Sequence, residues 1–98
     1  MTINKRTEQA KLFLAPIGRL DTTTSPELER EIETSVAGIK ELVLDLKDVE
    51  YVSSAGLRVI LKAQKLMGSR SGFKVTGVNA IVMEVFDITG FTDILNIE

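Results

Sequence analysis

Leu42-Val43-Leu44-Asp45-Leu46-Lys47-Asp48-Val49-Glu50-Tyr51-Val52-Ser53-Ser54-Ala55-Gly56-Leu57-Arg58-Val59-Ile60-Leu61 is the stretch that decides the fold. It opens on a short apolar run, Leu42 to Leu46, of the length and composition of a buried strand. Lys47 to Ser54 reads as a polar loop. From Ala55 the pattern changes period. Leu57, Val59, Ile60, Leu61, Ala63, Leu66 and Met67 leave little polar face in the first half of a helix that Gly68 closes. A helix with so narrow a polar face is mostly buried. A buried strand leading through a loop into a buried helix is the unit of an α/β fold.

The same alternation holds on both sides. Upstream, Ile3–Thr7 is a weak strand, Glu8-Gln9-Ala10 a polar break, and Lys11–Leu20 a second strand, as in a hairpin. Pro16 inside that strand cannot donate to a ladder and predicts a bulge or an unpaired position. Thr24-Ser25-Pro26-Glu27 starts a helix. Pro26 suits the first position with Ser25 as N-cap, while Thr24 and Glu27 also fit a capping box. Leu28, Ile32 and Val36 recur every four residues opposite Glu27, Glu29, Arg30, Glu31 and Glu33, and Gly38 stops the helix. Downstream, Phe73–Val78 is a strand, Asn79 caps a helix over Ala80–Thr89, and Gly90 closes it. Ile94, Leu95 and Ile97 in the tail add a short strand or pack on that helix. The order is β-β-α-β-α-β-α-tail.

Right-handed crossovers between parallel strands place the loops entering all three helices at one end of the sheet. Asp21–Thr24, Glu50–Ser54 and Gly77–Asn79 are therefore expected to converge there, where open α/β sheets bind their ligands and partners. Residues 1–98 form one domain, expected to carry a mixed sheet of four to five strands. Of the 98 residues, 44% are hydrophobic and 27% charged, which excludes a disordered tail. No apolar run approaches the roughly 18 residues of a membrane span. Met1–Arg6 does not read as a signal peptide, so a cytoplasmic protein is expected.

Composition also narrows the chemistry. Cysteine and histidine are absent, which removes disulfides, thiolate zinc sites, imidazole ligands and the Ser-His-Asp triad. Twelve basic against fourteen acidic residues give a net charge of −2, with no basic excess for nucleic acid or an anionic membrane. Neither a Walker-type nor a Gly-x-Gly-x-x-Gly phosphate loop is present, and Lys47 and Lys62 form no motif with a serine. No cofactor and no metal site is expected, and a binding or switching domain fits better than an enzyme.

Ser53-Ser54-Ala55-Gly56 stands between the buried strand and the buried helix. Serine there serves either as an N-cap or as a phosphate acceptor, because a helix N-terminus offers free N–H groups and a positive dipole end. Gly56 in the first turn costs about 1 kcal/mol against alanine, a sign that a ligand or another backbone approaches closely. Asp21, Thr22 and Thr23 read either as ordinary turn chemistry or as a recognition surface beside the serines. Asp45, in or at the edge of a buried strand, needs a partner or solvent. Ile81, Val82, Met83, Val85, Phe86 and Ile88 make the third helix apolar nearly all round, which fits core packing or, in part, a partner face. Leu57, Ile60, Leu61, Val82, Val85 and Phe86 are predicted core.

Gly18-Arg19-Leu20-Asp21, Ser25-Pro26-Glu27-Leu28, Leu44-Asp45-Leu46 and Tyr51-Val52-Ser53-Ser54-Ala55-Gly56-Leu57-Arg58 together resemble the STAS domain family, and within it the bacterial anti-sigma factor antagonists. The resemblance covers nearly the whole chain in order. It implies a curled sheet wound with helices as βα units, and a partner switch. The unphosphorylated antagonist binds an anti-sigma factor that is also a serine kinase and so frees a sigma factor. The kinase phosphorylates the antagonist, and a serine phosphatase reverses this. The implied acceptor is Ser54, before a small residue and the glycine. Ser53 is its rival, standing where the family often has an acidic residue. Asp21, Thr22, Thr23, Ser53, Ser54, Ala55, Gly56 and Arg58 are the implied partner-binding residues. Two other readings stand beside this one. A STAS-like interaction or scaffold domain without phosphorylation explains Ser53 equally well. A phosphoaspartate receiver with Asp45 as acceptor lacks the acidic pair, the late lysine and the five βα units of that fold.

Overall fold

A computed structural model gives the fold and describes residues 1–68 and 72–98. The elements are β1 (Thr2–Glu8), β2 (Lys11–Leu20), α1 (Ser25–Ser35), β3 (Glu41–Asp45), β4 (Val49–Val52), α2 (Ser54–Met67), β5 (Phe73–Thr76), α3 (Ala80–Thr89) and β6 (Asn96–Ile97). Five strands run in the order β1-β2-β3-β5-β6, and β4 pairs with β2 off that path. The β1–β2 hairpin is antiparallel and the other pairings are parallel. The sheet is therefore mixed, with six strands among the described residues rather than the four to five expected.

The sixth strand comes from the segment read as a polar loop. β2 is ten residues long and changes partner part-way. Lys11–Leu14 pairs with β3, and Gly18–Leu20 pairs with β4. Pro16 falls in the gap between the two ladders, the one stretch of β2 where a missing donor costs nothing on that side. The expected irregularity follows two residues later, as a register shift between Gly18 and Arg19. Gly18 has φ +110°, a backbone state that L-residues with side chains avoid. β4 hides in the sequence because Glu50 and Tyr51 face solvent and only Val49 and Val52 are buried.

Alternation along the strands sorts the two faces of the sheet. Leu12, Leu14, Leu42, Leu44, Phe73 and Val75 point to the helices and form one cluster with Leu28 and Ile32 of α1, Leu57, Val59, Ile60 and Ala63 of α2, and Val82 and Phe86 of α3. Of the six predicted core residues, Leu57, Ile60, Val82 and Phe86 are buried, whereas Leu61 and Val85 are half-buried. On the opposite face Arg6 and Lys11 lie over the Phe13 ring, with 4.2 Å and 5.1 Å to its centre. The tail does both things expected of it: Phe91 stacks on Phe86 at 6.2 Å, and Asn96–Ile97 adds a strand to β5. No helix among the described residues is long and apolar enough to cross a membrane.

Candidate functional site

The site is built where β2 and β4 end together. Leu20 pairs with Val52, and the Ser53 N–H donates to the Leu20 carbonyl at 2.8 Å. The chain then enters α2 on one side of this pairing and the Asp21–Thr24 loop on the other. Ser53 is the N-cap, with extended backbone (φ −85°, ψ 178°), and its carbonyl accepts the first helical bond from the Leu57 N–H at 2.9 Å. Ser54 is thus the first residue of the helix and not its cap, one place earlier than the periodicity predicts. The Ser53 side chain makes no capping bond. Its Oγ is buried and unpartnered among the described residues, while Ser54 is exposed.

Helix geometry leaves the N–H groups of Ser54, Ala55 and Gly56 without an intrahelical acceptor. With no capping oxygen in place, the first turn of α2 keeps its positive end open toward Ser54. Arg58, one turn further on, is exposed. Gly56 is buried, and its reason is a close backbone approach. A Cβ there would stand 2.8 Å from Val52 Cγ1, 2.9 Å from Leu20 Cβ and 3.0 Å from the Leu20 carbonyl oxygen. Gly56 lets the helix start sit tightly on the strand ends and offers no surface of its own.

The neighbouring loop is held by its own aspartate. Asp21 Oδ1 accepts from the backbone N–H groups of Thr23 and Thr24, each at 3.0 Å, while the one Thr24 hydroxyl proton lies between the Arg19 carbonyl at 2.5 Å and Asp21 Oδ1 at 3.2 Å. The Thr24 Oγ1 accepts in turn from the Asp21 N–H at 3.0 Å. The Thr24 N–H holds the Asp21 carboxyl below its ordinary range, helped by the Thr23 N–H and Arg19. Thr24 occupies the N-cap position of α1 but makes no side-chain cap bond, so neither capping register offered by Thr24 and Ser25 forms. Asp21 takes over the ordering of that turn, and Thr22 and Thr23 are left exposed.

The third loop sits further back. Gly77 packs against Asp45 and Lys47, and the Asn79 side chain donates to the Val49 carbonyl at 2.8 Å. Asn79 also caps α3, accepting from the Val82 N–H at 2.8 Å. Gly77–Asn79 is therefore anchored at the start of β4, while Ser53 follows its end. The unforeseen strand carries α2 onward, so only two of the three loops meet in the expected way. Asp45 Oδ1 accepts from the Lys47 N–H at 3.0 Å and lies against Gly77. It orders the β3–β4 turn, and its other oxygen pairs with the Lys47 ammonium at 3.6 Å. Sequence reasoning missed the Arg19 guanidinium stacked 5.0 Å from the Tyr51 ring centre beside the site. Nothing in the sequence pairs those two residues once β4 is read as a loop.

A family model described as the STAS domain matches residues 2–98. The chain belongs to the STAS domain family. An anti-sigma-B factor antagonist of Listeria monocytogenes is 33% identical to this STAS domain over 96 residues, which cover 94% of this chain and 81% of that protein. The crystal structure of an anti-sigma factor antagonist from Mycobacterium paratuberculosis superposes with a TM-score of 0.88 at 26% identity, over 98% of this chain and 83% of that one. SpoIIAA, a Bacillus cell fate determinant solved in its phosphorylated form, shares the fold at a TM-score of 0.75 and 12% identity, over 99% of this chain and 91% of that one.

Proposed function

We propose that this STAS domain is an anti-sigma factor antagonist, that its partner is an anti-sigma factor with serine kinase activity, and that phosphorylation of Ser54 switches it off until a serine phosphatase restores it. The carrying observation is the contrast between two adjacent hydroxyls. Ser54 Oγ belongs to an exposed residue at the open start of α2, whereas Ser53 Oγ is buried. A kinase needs an acceptor oxygen it can reach. In the transfer, Ser54 Oγ bonds to the γ-phosphorus of a nucleoside triphosphate, the bond to the diphosphate breaks, and the hydroxyl proton leaves to a base. The exposed Thr22 and Thr23, with Ser54, Ala55 and Arg58, form the partner face. Asp21 and Ser53 shape it from beneath, and Gly56 sets its backbone.

The phosphate adds close to two negative charges and three acceptor oxygens. The free N–H groups of the first turn tolerate it, so the domain stays folded. A partner surface shaped for a neutral hydroxyl then meets a charge that must be desolvated, with Glu50 exposed nearby. The test is labelled phosphate transfer from an anti-sigma factor kinase to three proteins: the parent, Ser53→Ala and Ser54→Ala. Label in the parent and in Ser53→Ala, but not in Ser54→Ala, is the expected result. Label in the parent and in Ser54→Ala, but not in Ser53→Ala, makes Ser53 the acceptor. No label in any of the three leaves the unphosphorylated scaffold.

A further inference from the structure

The geometry points to Arg58 as a clamp that closes on the phosphate of phosphorylated Ser54, so that modification withdraws a surface cation as well as adding an anion. This rests on Ser54 as the acceptor. Ser54 and Arg58 are four residues apart on α2, which brings their Cβ atoms within about 5–6 Å on one helix face. Side chains on a helix lean toward its N-terminus, which puts Ser54 within reach of a long side chain at position 58. An acid placed N-terminal to a base at this spacing is the favourable order. The planar guanidinium offers a phosphate paired donors, which a lysine at the same place does not.

The surrounding charges single out Arg58. Lys62, the next residue along the same face, is committed to Glu29 and Glu33 of α1 at 3.6 Å and 3.4 Å. Arg19, across on β2, lies over the Tyr51 ring. Arg58 is exposed and makes no hydrogen bond, ion pair or ring contact among the described residues. Before modification that cation is available to a partner. Afterwards the phosphate occupies it, together with the first-turn N–H groups.

The full chain with phosphoserine inserted at position 54 during translation tests this without a kinase. Phosphorus NMR follows the second ionisation of the phosphate in that protein and in its Arg58→Lys and Arg58→Gln variants. Asp21, Glu50 and Arg19, the charged residues that neighbour the site along the chain and its paired strand, are unchanged in all three. The clamp predicts that the parent phosphate titrates about half a pH unit below that of Arg58→Gln. Arg58→Lys should fall between them, and the gap should narrow in 1 M salt. Coincident titrations of parent and Arg58→Gln would overturn the clamp. Because the phosphate is placed chemically, that failure is distinct from a failure of Ser54 to be the kinase's target.

Discussion

Ser53 and Ser54 differ by one position and by the exposure of their hydroxyls. The extended backbone of Ser53 turns its hydroxyl inward, and the first helical residue turns its own outward. Gly56 makes the same point about context. In an open helix Gly→Ala gains about 1 kcal/mol. Here the added methyl meets Val52 and Leu20 below 3.0 Å, so Gly56→Ala should instead destabilise by about 1–3 kcal/mol in a denaturant titration. Asp21 gives a pH-dependent test. Its folded carboxyl sits below its ordinary range, chiefly through the Thr24 N–H, so its contribution is present above the unfolded carboxyl range and is lost as pH falls through the folded value. Asp21→Ala should therefore be less stable than the parent at neutral pH, and the difference should close in acid. A difference that persists unchanged at low pH would mean that the carboxylate is not what orders the loop.

At the scale of elements, α3 divides into two faces. Val82 and Phe86 are buried, while Ile81 and Ile88 are 60% and 78% exposed. The apolar composition read along this helix thus has two sources, core packing on one side and a bare surface on the other. Phe86→Ala should cost about 3–5 kcal/mol in thermal or chemical unfolding. Ile88→Ala should stay within about 0.5 kcal/mol of the parent. A large loss at Ile88 would show that the exposed face is covered in solution. β4 is the element the sequence conceals most. Two exposed residues between two buried ones in a four-residue strand have no period to read, and its pairing depends on β2 changing partner after Pro16. The hairpin, α2 and α3 were legible because period and Gly stops agreed: Gly68 and Gly90 both close their helices in the left-handed region.

For the whole molecule, the order of βα units and the place of Ser54 at a helix start followed from pattern and handedness. The position of Gly77–Asn79 did not, because it depends on the length of a strand that was invisible. The residues of the candidate site are legible as a motif, but their division of labour is not. Only coordinates separate the exposed Ser54, Thr22, Thr23 and Arg58 from Asp21 and Ser53, which support them. The fold carries this site on the paired ends of β2 and β4, fixed by the Ser53–Leu20 hydrogen bond and by Gly56, and the proposed switch requires that a charge placed at Ser54 act on a partner without a change in the domain. The most direct test is calorimetric titration of an anti-sigma factor kinase with the unmodified protein and with the protein carrying phosphoserine at position 54, each checked by circular dichroism. The predicted result is two identical native spectra and binding weaker by about 100-fold or more in the phosphorylated form. Equal affinities, or a phosphorylated protein that has lost its native spectrum, would contradict the account.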